Sequence, residues 1–164
     1  MAVEITQQHE HLIPIERAWE ELFGSGYIVV SLYSRKTGAH KTFEIERWPG
    51  AEGKERPLCW WIRQLTGPDN NQSFHYLMMA EGKDDGYISL KLTRKSPKAG
   101  WDHEAIKVFL WLFKAADGQD PQVSQAAGVE VWEACACGRC AQRLTNPKSI
   151  KRGYGPTCWE LRNG

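Results

Sequence analysis

No stretch of this chain approaches the roughly 18–20 consecutive apolar residues that cross a bilayer. The opening segment, Met1 to Gln8, is polar and has no apolar secretory core, which predicts a cytoplasmic protein without a membrane partner. The signatures of common enzyme chemistries are missing as well. There is no Gly-x-Ser-x-Gly elbow, phosphate-binding loop, dinucleotide fingerprint or histidine pair with zinc-protease spacing. We therefore expect no enzymatic activity and no small-molecule substrate. Charge of one sign is also scarce: 21 Lys and Arg face 20 Asp and Glu, for a net charge of +1. That total alone demands neither nucleic acid nor an acidic surface as partner.

The charge is unevenly distributed, however. Residues 1–128 carry 15 Lys and Arg against 17 Asp and Glu, whereas residues 129–164 carry six against three. The basic end also holds four of the five cysteines, Cys135, Cys137, Cys140 and Cys158. The fifth, Cys59, lies in the apolar run Leu58–Ile62 and reads as a small buried hydrophobe. An odd cysteine count without a secretory signal points to a reducing compartment, where clustered thiols hold metal more often than they form disulfides.

The spacing supports a metal. Cys135, Cys137 and Cys140 are too crowded to pair comfortably with one another in disulfide geometry. Cys137-Gly-Arg-Cys140 reads as a turn that aims backbone amides at sulfur, with Gly138 easing the turn. Pro156 suits the first turn of a short helix, which places Cys158 where a helix N-terminus favours a thiolate. Cys135 is the nearby candidate for a fourth ligand. Four thiolates would close a tetrahedral Zn²⁺ site, making the metal structural and not catalytic. Reduced, unliganded thiols and an iron–sulfur cluster remain as alternatives. The segment offers little apolar material beyond Val131, Trp132, Leu144, Ile150, Tyr154, Trp159 and Leu161, so zinc would add folding energy on the order of 10 kcal/mol.

Upstream, the pattern predicts an α+β domain: a small antiparallel sheet with a buried helix, followed by the small zinc-knuckle module. A short amphipathic helix is expected from Ile15 to Phe23, closed by Gly24. Tyr27–Tyr33 and Thr42–Glu46 read as a hairpin, and Phe74–Met79 with Tyr87–Leu92 as a second strand pair. The apolar run Leu58–Ile62 is of uncertain type, with one of Trp60 and Trp61 in the core and the other half-exposed. A helix capped by Asp102 and stopped by Gly118 is apolar nearly all round, as a buried helix should be. The expected organisation is residues 1–120 as the α+β domain with 1–11 as a tail, 121–128 as linker and 129–164 as the knuckle.

The segment Cys137-Gly-Arg-Cys140 through Leu144-Thr-Asn-Pro147-Lys-Ser149 to Gly153-Tyr-Gly155-Pro156-Thr-Cys158 resembles a small zinc-knuckle domain of unknown function. That family occurs at the C-termini of phage, plasmid and actinobacterial proteins, and the resemblance implies a mobile-element origin and a bound metal. Ala141-Gln142 stand where the family has Gly-Arg, a change expected to alter the knuckle's outer surface.

Arg139, Arg143, Lys148, Lys151 and Arg152 surround the metal site in sequence and are the candidate nucleic-acid contacts, with Tyr154 and Trp159 available for stacking on bases. The same residues would need no partner if they only balanced thiolate charge on a solvated surface. Lys91, Arg94, Lys95 and Lys98 form a second basic stretch, which would matter only if it faced the knuckle. Two functions follow as expectations. One is a non-enzymatic phage or mobile-element protein that binds nucleic acid through its basic C-terminus. The alternative is an effector that binds and inhibits a host protein complex, for which an exposed tryptophan patch would be the sign.

Overall fold

Alternating apolar and polar residues build one antiparallel sheet, in a computed structural model that describes residues 9–49, 58–83 and 85–163. Residues 1–8 of the expected tail, 50–57 of the loop before Leu58, and Asp84 lie outside the described residues. The strands are β1 (Leu12–Ile13), β2 (Tyr27–Ser34), β3 (His40–Arg47), β4 (Cys59–Leu65), β5 (Phe74–Gly82), β6 (Ile88–Lys91) and β7 (Val129–Glu133). Their order across the sheet is β1-β7-β2-β3-β4-β5-β6, and every pairing is antiparallel. Both predicted strand pairs form, with Val30 opposite Phe43 and Ala80 opposite Leu90. The uncertain run Leu58–Ile62 leads into β4.

One face of the sheet carries the main core. Successive strand side chains point to opposite faces, and Ile28, Val30, Leu32, Phe43, Ile45, Trp60, Ile62 and Val131 all join one buried cluster. A bulge where β4 meets β5 places Leu77 opposite no residue of β4, and both Leu77 and Met78 are buried in that cluster. Helices α1 (Ile15–Gly24) and α2 (Glu104–Gly118) cover this face. Phe109 of α2 meets Phe43 edge-on at 5.4 Å, and Phe23 of α1 meets Trp60 at 5.2 Å. Ile106, Phe109 and Leu112 have no exposed surface, and burial of each contributes roughly 2 kcal/mol. Trp60 is the core member of its pair, while Trp61 is half-buried against Tyr76 on the opposite side.

The start of α2 differs from the expected cap. Residues Gly100–Asp102 form a 3₁₀ turn, so the last extended residue before the helix is His103, whose Nδ1 accepts from the Ala105 amide at 3.2 Å. The expected linker also differs. Pro121–Ala127 is a helix, α3, because Asp120 accepts from the Gln122 amide at 3.0 Å, Pro121 fits the first helical position and Gly128 ends it at φ +66°.

The start of the expected knuckle differs most. Val129–Glu133 belongs to the large sheet, inserted between β1 and β2, with Leu32 opposite Val131. The reason is the adjacent pair Val131-Trp132, both buried, which gives the strand an apolar side chain for each face of the sheet. Val131 enters the helix-side core, and Trp132 faces the other way into a second cluster with Cys137, Leu144 and Ile150.

That second cluster belongs to the C-terminal module. It comprises β8 (Cys135–Ala136), β9 (Arg143–Leu144), α4 (Pro147–Arg152) and α5 (Pro156–Asn163), with β8 and β9 paired antiparallel. The module sits on the sheet face opposite α1 and α2. Ser31 Oγ, fully buried, donates to the Thr145 carbonyl at 2.6 Å and lies 2.6 Å from Thr42 Oγ1. Asn70 Nδ2 donates to the Arg143 carbonyl at 2.8 Å, and Arg143 donates back to the Asn70 carbonyl at 3.2 Å. The architecture is therefore three layers: helices, sheet and cysteine-rich module. Among the described residues, no helix is long and apolar enough to cross a membrane.

Candidate metal centre

The chain after β7 turns back on itself because Ala134 is fastened first: its amide donates to the Val29 carbonyl at 2.8 Å. The two-residue ribbon β8–β9 follows, with Cys135 opposite Leu144. Between these strands lies the Cys137–Cys140 turn, closed by the Cys137 amide on the Gln142 carbonyl at 2.8 Å and the Ala141 amide on the Cys137 carbonyl at 2.9 Å. The Gly138 amide then donates to the Gly153 carbonyl at 2.8 Å, which brings the turn against the end of α4.

Helix α4 itself follows from its sequence. Asn146 accepts from the Lys148 amide at 3.0 Å, Pro147 opens the helix and Gly153 closes it at φ +77°. Gly155-Pro156 then starts α5, which carries Cys158 in its first turn as predicted. Gly138 is needed for closeness, because a Cβ there would meet the Tyr154 ring at 3.2 Å. Left-handed backbone occurs three residues later, at Ala141, with φ +62°.

These constraints gather three sulfurs. The Sγ atoms of Cys137, Cys140 and Cys158 all lie within 4.8 Å of one another. A tetrahedral centre with metal–sulfur bonds of about 2.3 Å needs its sulfurs about 3.8 Å apart, so the cluster has the right scale for one. Cys137 is buried, Cys158 half-buried and Cys140 exposed, so the cluster runs from the module's core to its surface.

The electrostatics match a thiolate site. Backbone amides of Cys140, Gly155 and Arg139 donate to the Cys137 sulfur and bring its pKa down to about 6. The Cys158 thiol moves up, through burial first and then through hydrogen bonding and charge from Cys140 and Cys137. Three soft donors, one already inclined to ionise and another opposed by its neighbours' charge, suit a divalent ion that would neutralise all of them together.

Cys135 is not brought into this cluster. Fastened beside Val29 and paired in β8, it is half-buried and packs with Leu12 and Tyr33 against the Trp132 cluster. Burial, then the charges of Glu10, Cys137 and Glu133, push its thiol up. Of the four expected cysteines, the structure gathers three, and Cys135 is not among them. The reason is that Cys135 belongs to the part of the chain tied to the large sheet, while the other three sit at the turn and the helix start. Cys59 is buried in β4, where burial followed by Glu81 raises its thiol.

The five candidate nucleic-acid residues divide by placement. Arg139, Lys148 and Lys151 are exposed, although Lys151 lies over the Trp132 ring at 5.0 Å. Arg152 is half-buried over Trp159 at 5.1 Å. Arg143 is used inside the protein, donating to the Asn70 carbonyl and, at 3.1 Å, to Tyr27 Oη, which in turn donates to Glu44. Tyr154, expected as a stacking platform, is covered by Gly138 on one side and carries Arg162 at 4.7 Å. The second basic stretch begins at Lys91 in β6, five strand spacings or about 24 Å across the sheet from β7. Lys91 is itself paired with Glu81 at 2.8 Å.

Sequence reasoning missed the role of Ser31, Asn70 and Tyr27 in seating the module, since nothing local in those residues announces a partner more than seventy positions away. No curated protein and no solved structure matches the chain. Residues 133–163, which are the module together with the last residue of β7, match the model of a family of unknown function (DUF6011).

Proposed function

We propose that this is a non-enzymatic nucleic-acid-binding protein of phage or mobile-element origin, in which a structural zinc ion holds the C-terminal module in shape. The observation that carries the reading is the module's charge once β7 is assigned to the sheet. Glu130 and Glu133 leave with the strand, and residues 134–164 retain six Lys and Arg against one acid, Glu160. Among the described residues, none of Arg139, Lys148 and Lys151 takes part in an ion pair. Lys148 and Lys151 are three apart on α4 and so share a face, and the Gly138–Gly153 hydrogen bond brings the turn carrying Arg139 to the end of that helix.

With the rings of Tyr154 and Trp159 already under guanidinium groups, the surface favours contact with phosphates over stacking on bases. Among the described residues, Trp101 is the one tryptophan among the exposed large apolar side chains, which favours the nucleic-acid reading over that of an inhibitor of a host protein.

The test is salt-dependent binding to a duplex oligonucleotide. Three free cations on phosphates give a slope of log K against log salt of about −2.7. Arg139→Ala and Lys148→Ala should each weaken binding and lower the slope by about 1 while the fold is kept. A flat salt response, or no binding at low salt, refutes the proposal.

A further inference from the structure

The three sulfurs leave a question that the four-cysteine reading would have closed: what completes the coordination of a metal held there. Among the described residues, no other Cys, His, Asp or Glu joins the cluster. All five histidines are described, and several have other roles. His9 packs edge-on to Trp132 at 5.3 Å with its Nδ1 accepting from the His11 amide, and the Nδ1 of His103 caps α2. His40 and His75 stand on β3 and β5. Cys59 is in the sheet and Cys135 is held beside Val29.

The cluster is also lopsided. Cys137, 3 % exposed, faces the Trp132–Leu144–Ile150 core, whereas Cys140 is exposed. The side of the trio away from that core is the solvent side. A divalent ion with three thiolates would carry one net negative charge, and Arg139, Arg152 and Arg162 are three of the six cations of the same small module. That surrounding makes the approach of a further anion tolerable.

We propose that the metal centre is coordinatively open. Cys137, Cys140 and Cys158 would be the chain's whole contribution to the metal, which would leave one position for a soft anionic ligand of the thiolate class from outside the chain. A site of three protein ligands with one exchangeable position has a different chemistry from a closed four-thiolate site: it can take a donor from outside the chain. The inference rests on the reading of the trio as a metal site, and the experiment separates the two.

The protein is loaded with Co²⁺ in place of zinc, and its sulfur-to-metal charge-transfer absorption is recorded for the unmodified chain and for Cys135→Ala. The unmodified protein is then titrated with 2-mercaptoethanol. The expected result is an absorption unchanged by Cys135→Ala that rises by about one-third on adding the thiol, as three thiolates become four. Absence of Co²⁺ uptake overturns the metal reading itself. Uptake with a band indifferent to the thiol, or one that falls by about one-quarter in Cys135→Ala, shows a closed site and overturns the open position alone. The titration needs no substitution, so it decides the matter even if Cys135→Ala fails to fold.

Discussion

Ala141 holds φ at +62°, a conformation that an L-residue adopts at a cost of roughly 1–2 kcal/mol and glycine adopts freely. It cannot relax locally, because its amide closes the turn on the Cys137 carbonyl at 2.9 Å and the next residues enter β9. The side chain is exposed, so Ala141→Gly removes no packing. Against the released strain stands the greater freedom of glycine in the unfolded chain, about 0.4–1 kcal/mol. The net gain is about 0.5–1 kcal/mol, a rise in Tm of about 1–4 °C for a chain of this length.

The assay is calorimetric melting with zinc in excess, so that changes in metal occupancy do not mask the backbone effect. Ala136→Gly is the control: it makes the same chemical change at an exposed site in β8, where φ is not positive, and should destabilise by about 0.5–1 kcal/mol. If both variants melt lower by similar amounts, residue 141 is not left-handed and the account of the turn is wrong.

Ser31→Ala removes the hydroxyl between Thr145 and Thr42 and leaves a buried carbonyl unpaired; stability in urea should fall by about 1–3 kcal/mol, and an unchanged midpoint would show that the module is seated by other contacts. Arg143→Ala should cost about 1–2 kcal/mol by removing the guanidinium bonds to the Asn70 carbonyl and Tyr27 Oη, yet leave the salt slope of nucleic-acid binding as it was; a slope reduced by 1 would return Arg143 to the binding surface. Chelation of the metal should make Cys137, Cys140 and Cys158 react with a thiol reagent at pH 8, while Cys59, 4 % exposed and with its thiol pushed up by burial and by Glu81, stays silent. Equal reactivity with and without chelator would mean that no metal shields the trio.

Local pattern made much of this fold legible. The runs Tyr27–Tyr33 and Thr42–Glu46 carry their own alternation, and Ile15–Phe23 its own helical spacing, so their elements form where the sequence places them. Cys137, Cys140 and Cys158 were likewise marked by a turn glycine and a helix-opening proline. What local pattern does not encode is pairing at a distance. Val129–Glu133 carries strand-type residues, but that its partners are Leu12–Ile13 and Val30–Ser34 depends on the whole chain's topology. Cys135 stands apart for the same reason: it is near Cys137 in sequence, but it follows Ala134, whose amide is fastened to the Val29 carbonyl, and it is not among the three gathered sulfurs. The cap at His103 depends on a short 3₁₀ turn whose extent is a matter of one or two residues.

β7 shows why the module is more than an appendage. Neighbouring residues on a strand point to opposite faces, so Val131 and Trp132 belong to different cores while sharing one backbone. A cut at residue 128 would remove the strand between β1 and β2, and a cut after Ala134 would expose Trp132 and leave Ser31 without Thr145. A large indole brought into water loses on the order of 3 kcal/mol of burial. The three-cysteine cluster therefore joins the rest of the protein through Cys137, which shares one buried cluster with Trp132, Leu144 and Ile150. The three-sulfur turn and the sheet's second face thus share one core, and Lys151 over the Trp132 ring sets the exposed side of α4 against that face.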